Sequence, residues 1–114
     1  MTPAAFRRIA MSLPGTVEGA HMGHADFRVN GKVFATLGWP DKTFCMIKLP
    51  LELQDALVRA APEAIQPASG AWGRQGSTLV HLAKAEETTL RGAIRSAWQH
   101  AAAAKKARPS KRPQ

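Results

Sequence analysis

Apolar residues recur at helical spacing from the start of the chain. Phe6, Ile9, Ala10 and Leu13 fall at i, i+3, i+4 and i+7 and form one stripe. Thr2 is placed to cap this helix, Pro3 to take its first position, and Pro14-Gly15 to stop it. Arg7 and Arg8 fall off the stripe and are expected in solvent. Residues 17–24 contain glycine among polar positions and are expected to include a short strand. The period then changes from helical to two. Phe27-Arg28-Val29 leads into Asn30-Gly31, and Lys32-Val33-Phe34-Ala35-Thr36-Leu37 leads out, a hairpin pattern.

Two registers compete for that hairpin. A two-residue Asn-Gly turn pairs Val29 with Lys32 and Phe27 with Phe34, and puts Arg28 on the face of Val33, Ala35 and Leu37. A three-residue loop with Gly31 left-handed instead pairs Arg28 with Lys32 and Phe27 with Val33. Only the second keeps Phe27, Val33, Ala35 and Leu37 on one apolar face, and a slip of one residue would turn charges inward. The second register is therefore the expected one.

Further along, residues 44–49 alternate as a strand, with Cys45, Ile47 and Leu49 on one face and Phe44, Met46 and Lys48 on the other. Pro50 opens a second helix whose buried stripe is expected to be Leu53, Ala56, Leu57 and Ala60, with Pro62 ending it. Residues 63–76 are rich in Pro, Gly and Ser and read as a loop. Residues 77–82 read as a strand. A third helix over 84–100 carries Leu90, Ile94, Ala97 and Trp98 on one face, and 101–104 can extend it because alanine is the best helix former. Beyond Arg108, prolines and like charges predict disorder. The order predicts an α+β fold: a two-layer sandwich of a twisted antiparallel sheet with helices on one face. The expected division is a single domain, 1–104, and a basic tail, 105–114.

The pieces of this pattern, in their order, resemble the MmcQ/YjbR family from Phe6 to Trp98. The resemblance is carried by Phe6-Arg7, Leu13-Pro14-Gly15, residues 18–21, the hairpin from Phe27 to Ala35, Lys48-Leu49, and the run Trp72-Gly73-Arg74-Gln75-Gly76-Ser77-Thr78. It implies a fold like that of bacterial frataxin (CyaY-like). It also implies a DNA-binding role, a label given to the family on structural grounds. Frataxins carry an acidic first helix for iron. Here Arg7 and Arg8 stand there and the first acid is Glu18, so iron binding is not expected.

Length and charge narrow the picture. A chain of 114 residues suits one domain and buries roughly 65% of its unfolded surface, enough for a modest core. A single cysteine, Cys45, excludes an internal disulfide and an all-cysteine zinc site. The apolar segment at 9–13 is too short and too interrupted for a signal peptide, and no apolar run approaches the roughly 20 residues of a membrane helix. A soluble, cytoplasmic protein is expected. The net charge is +8. Its most basic part is the C-terminal tail, where Lys105, Lys106, Arg108, Lys111 and Arg112 occur without an acid. The body of the chain is only mildly basic. Such a tail attracts anions generically.

His21, His24 and Asp26 invite a metal or acid–base reading, but zinc needs three or four converging ligands, and side chains three apart in a strand point to opposite faces. No serine lies in a nucleophile-elbow context and no phosphate loop follows Gly70, Gly73 and Gly76. No catalytic residue, cofactor or metal is therefore expected. The basic and aromatic residues form a better pattern. In the expected register Arg28 faces Lys32 across the hairpin, Lys48 shares the parity of Phe44 and Met46, and Phe34 lies on the same face. A sheet face of this kind suits stacked bases and phosphates. Trp72 and Arg74, in a glycine-flanked loop, add a ring and a fork-shaped cation, with glycines that allow a phosphate to approach the backbone. The expected function is non-enzymatic binding of nucleic acid, DNA by family resemblance, through Arg28, Lys32, Lys48, Trp72 and Arg74. Arg7, Arg8, Lys105 and Lys106 would add electrostatic attraction. The rival is a protein- or small-ligand-binding module, dimeric through the sheet face. In that reading the 63–76 loop or a second subunit covers the face and Trp72 anchors the loop to the core.

Overall fold

The structure is a computed structural model that describes residues 1–107, with side chains described to residue 103. The elements follow in the order α1 (Pro3–Ser12), β1 (Val17–His21), β2 (His24–Val29), β3 (Lys32–Leu37), β4 (Phe44–Lys48), α2 (Leu51–Ala60), β5 (Ile65–Pro67), α3 (Gly70–Arg74), β6 (Ser77–His81) and α4 (Glu87–Ala107). The tail expected to be disordered beyond Arg108 lies outside the described residues, as do the side chains of Lys105 and Lys106.

The helix α1 forms where the pattern places it. The Thr2 hydroxyl accepts a hydrogen bond from the Ala5 N–H at 3.1 Å, satisfying one of the free donors of the first turn. Phe6 and Ala10 are buried, and Leu13 closes the stripe. The Phe6 ring meets Phe27 of β2 with centroids 5.9 Å apart. Helix α4 crosses β2, β3 and β4 and packs against α1. Leu90, Ile94 and Ala97 are buried on it, joined by Ala93 and Ala101. Trp98 is half-buried, and its indole N–H donates to the Pro14 carbonyl at 2.9 Å, tying the end of α1 to α4.

All the strands join one six-stranded antiparallel sheet in the order β1-β2-β3-β4-β6-β5. The chain leaves β4 through α2, lays β5 at the far edge, and returns as β6 between β4 and β5. Alternation in β4 is as expected: Cys45, Ile47 and Leu49 are buried against the helices, while Phe44, Met46 and Lys48 are half-buried on the opposite face. An α+β sheet with its helices gathered against one face leaves the second face for other uses.

Several expectations are corrected. The hairpin between β2 and β3 uses the two-residue turn, not the three-residue loop. Val29 pairs with Lys32 and Arg28 with Val33, and Asn30 (φ 53°) and Gly31 (φ 82°) are both left-handed. A β-bulge then shifts the register, so that Phe27 pairs with Ala35. The bulge lets Phe34 and Ala35, neighbours in sequence, both be buried. Arg28 therefore does not face Lys32 across the ladder, and Phe34 belongs to the core rather than to the open face. In α2, Ala56 and Ala60 are exposed. The inward side carries Gln54, which is buried, with Leu53, Leu57 and Val58 partly so. Finally, residues 63–76 are not a loop: they fold into β5 and α3.

Candidate functional site

The face of the sheet away from the helices is built from the alternate residues of each strand. On it lie Gly19, Asp26 and Thr36, and Thr36 pairs onward with Met46. Arg28, Lys48 and Ser77 share that face, since Arg28 and Asp26 are two apart and Lys48 pairs with Ser77. Apart from Gly19, these residues floor a groove of about 370 Å³ whose lining also includes His21, Lys32, Val33 and Trp72. Arg28 and Lys48 thus meet in one concavity, which Lys32 joins from the end of β3 although its pairing with the buried Val29 gives it the parity of the helix-covered face.

Asp26 is the one acid in that lining and is only 1% exposed. Arg28 meets it with two parallel bonds, Nε to Oδ1 at 2.8 Å and Nη2 to Oδ2 at 3.1 Å. This fork geometry fixes the guanidinium as well as neutralising the carboxylate. The Arg28 pKa is raised by that hydrogen bond and by the charge of Asp26. The Arg28 side chain remains 41% exposed, so its outer edge is free to meet an anion. Gly19 leaves room for the pair: a Cβ there would lie 3.0 Å from Asp26 Oδ1 and 3.3 Å from the Arg28 guanidinium.

Trp72 stands on α3 and is 59% exposed. It does not anchor its segment to the core. That anchoring falls to Gln54, whose amide Nε2 shares its two hydrogens among Gly73 O (3.0 Å), Ser77 O (3.1 Å) and the Thr78 hydroxyl (3.1 Å). Gly73 is pressed against the chain, where a Cβ would come 1.8 Å from the Ala68 carbonyl oxygen. Gly73, and Gly76 against the Leu49 carbonyl, therefore admit the protein's own backbone, rather than a phosphate. Opposite Trp72 stands Trp39, with ring centroids 6.3 Å apart and planes at 64°. Trp39 sits in the turn after β3. Asp41 holds that turn by accepting hydrogen bonds from the hydroxyl and the N–H of Thr43, which keep its carboxyl below the ordinary range.

His21 and His24 were expected on opposite faces of a strand. They instead pair directly across a two-residue turn, with Met22 (φ 52°) and Gly23 (φ 83°) both left-handed. Both line a second hollow of about 260 Å³ with Met22, Thr36, Trp39, Met46 and Trp72. Among the described residues, no three His, Cys, Asp or Glu side chains come together in a way that would hold a metal ion. Cys45 is buried, which pushes its thiol up to about 12.

Of the residues singled out in the sequence, Arg28, Lys32, Lys48 and Trp72 come together in the groove. Arg74 is exposed at the end of α3 and is not part of that lining. Arg7 is on the helix side of the sheet, where its Nε bonds Glu18 Oε1 at 3.0 Å. Glu18 pairs with the buried Phe27, which fixes that side. Arg8 is exposed on the same helix. The sequence reading missed Trp39, Gln54 and Asp26 as the supports of the groove. An isolated tryptophan between a hairpin and a strand was the available signal for the first. Asp26 stands out in the sequence only as a metal or acid–base candidate with His21 and His24, and nothing in the local pattern marks Gln54.

Fold and site together define a small α+β domain with one helix-covered sheet face and one open, cationic and aromatic face. The chain belongs to the YjbR family, whose model matches residues 11–100. Two solved structures are similar. One is a Deinococcus radiodurans protein with the domain DUF419, at 20% identity over 84% of this chain and 75% of that one, TM-score 0.71. The other is a protein from Pseudomonas syringae, at 18% identity over 89% and 99%, TM-score 0.66. Likeness at these identities shows the fold alone. No functionally curated protein matches. Among the described residues no helix is long and apolar enough to cross a membrane.

Proposed function

We propose that this protein binds nucleic acid, without catalysis, through the open face of its sheet. The observation that carries the reading is the convergence of Arg28, Lys32, Lys48 and the exposed Trp72 on one groove whose single carboxylate is already held by Arg28. Lysines answer phosphates as point charges, and a ring answers any base face. The DNA-binding role implied by the family resemblance agrees with this reading. Its second part, the basic C-terminal stretch, adds attraction that is not tied to the groove.

A titration of labelled DNA oligonucleotides against the full chain at two salt concentrations tests it. Lys48→Ala and Lys32→Ala are each expected to weaken binding and to flatten the salt dependence by roughly one unit of the log–log slope. Trp72→Ala is expected to weaken it by roughly 1–3 kcal/mol. Binding that is the same in the wild type and in the Lys32→Ala/Lys48→Ala double variant would leave the tail as the attractor and overturn the proposal. The size of the groove favours one alternative, a small anionic ligand, since about 370 Å³ falls at the lower end of ligand-pocket volumes. Saturable binding of a small organic anion, with no affinity for an oligonucleotide, would select it.

A further inference from the structure

We infer that the groove takes its nucleic acid as an unpaired strand, with one base entering the hollow that Trp39 and Trp72 line and its phosphates lying at the lysine end. The inference rests on the nucleic-acid reading above and specifies its ligand.

Three hollows adjoin one another, two on the open face and a third at the end of the sheet that reaches His100 and Ala101 of α4. The hollow at Trp39 and Trp72, lined also by Met46, has no lysine or arginine in its lining. It opens into the main groove, with which it shares His21, Thr36, Met46 and Trp72. The main groove in turn shares Lys32, Val33 and Lys48 with a third hollow of about 180 Å³, where the two lysines meet Gln75 and His100 of α4. The chemistry therefore grades from aromatic and apolar at one end to cationic at the other. A duplex does not match that gradient. Its phosphates are outside, its bases are stacked and paired within, and no free ring face is offered to a pocket. An unpaired strand carries a ring and a phosphate on separate arms, and can place one at each end.

The geometry of the aromatic end is that of a corner. Rings at 64° do not form a parallel clamp, so a base stacked on one tryptophan presents its edge to the other. At about 260 Å³ the hollow is slightly smaller than a drug-sized pocket, which suits a single flat ring system. The imidazoles of His21 and His24 line the same hollow and offer hydrogen-bonding groups to a base edge. Length can be bounded as well. Lys32 and Thr36 lie four residues apart on β3, about 14 Å at a rise of ~3.4 Å. Stacked nucleotides rise ~3.4 Å each, so the groove holds no more than about four.

Tryptophan fluorescence tests the inference locally, because Trp39 and Trp72 border the groove while Trp98 is bonded to Pro14 between α1 and α4. The full chain is titrated with thymidine monophosphate, with oligothymidylates of increasing length and with a duplex. The titrations are repeated on Trp39→Leu, Trp72→Leu and Lys32→Ala/Lys48→Ala, with circular dichroism as the check on folding. Single strands are expected to quench the fluorescence. Either tryptophan variant should weaken single-strand binding roughly ten-fold, and the exposed position of Trp72 keeps the test valid if Trp39→Leu fails to fold. The wild-type advantage over Trp72→Leu should stop growing beyond about four nucleotides. If a duplex binds as tightly as a strand and neither tryptophan variant changes single-strand affinity, the base-pocket inference fails while the nucleic-acid reading stands. If neither form binds, the reading itself falls.

Discussion

Asp26 shows how much one buried charge can organise. Its carboxylate is nearly inaccessible, yet it sits beneath the open face of the sheet, and the Arg28 fork is what makes that burial tolerable. The two partners are not equivalent, because Arg28 is half-exposed and can fall back on water. Arg28→Ala, which strands a buried carboxylate, is expected to lower the urea midpoint more than Asp26→Asn, which only frees a solvated guanidinium. The reverse order would mean that the pair does not carry the burial of Asp26. Cys45 allows a second prediction at this scale. Its thiol titrates near 12 in the folded protein, well above the ordinary thiol range near 8.5 that the unfolded chain would show. The unfolded state therefore loses its proton first, and stability contributed by the neutral buried thiol is intact below about pH 8.5 and declines as pH rises toward about 12. Cys45→Ala should flatten that alkaline decline in denaturant titrations. Thiol-alkylating reagents at neutral pH should label Cys45 only on unfolding.

At the scale of elements, the β2–β3 hairpin carries the clearest lesson. Local turn chemistry favoured Asn30-Gly31 as a two-residue turn, while the apolar pattern favoured a different register. The protein takes the two-residue turn and then uses a bulge at Phe34 to return Ala35 and Leu37 to the core, while Val33 stays beside Arg28 at the groove. The choice between registers looked binary only because a sheet was assumed to be regular. Gly31→Ala places a Cβ at φ 82° and should cost about 1–2 kcal/mol by thermal or urea unfolding. Helix α3 depends in turn on the seat beneath it. Gln54→Ala removes the two amide hydrogens that the Gly73 and Ser77 carbonyls and the Thr78 hydroxyl share, and leaves buried acceptors without partners, expected to cost about 2 kcal/mol. Gly73→Ala forces a Cβ onto the Ala68 carbonyl, expected to cost about 1–3 kcal/mol or more. Both should also disturb Trp72 fluorescence, since α3 carries that ring. A normal spectrum in folded Gly73→Ala would show that α3 is seated by other contacts. Gln54 also accounts for the misread α2: the stripe of Leu53, Ala56, Leu57 and Ala60 counted only apolar residues, whereas the helix is rotated to bring a glutamine inward where Gly73, Ser77 and Thr78 need a donor.

For the whole molecule, the helix-covered face and the open face divide the work. The first holds the core, with Phe6, Phe27, Phe34, Ile47 and Ile94 fully buried. The second gathers cations and rings. Because Arg28 and Asp26 cancel, the excess charge of the groove resides in Lys32 and Lys48, so binding there should weaken with salt through those two side chains above all.

The sequence alone determined the order of the elements apart from β5 and α3, the antiparallel sheet, the stripes of α1 and α4 and the alternation of β4. Each depends on periodicity and turn residues within a few positions, where steric and hydrophobic preferences act directly. Tertiary structure decided the rest. Trp39 meets Trp72, Lys32 and Lys48 line one hollow with His100, and Arg28 meets a carboxylate that is buried only once the sheet has formed. Such meetings are set by strand order, by a bulge and by a glutamine that holds two distant segments together, and no local pattern of apolar and polar positions encodes them.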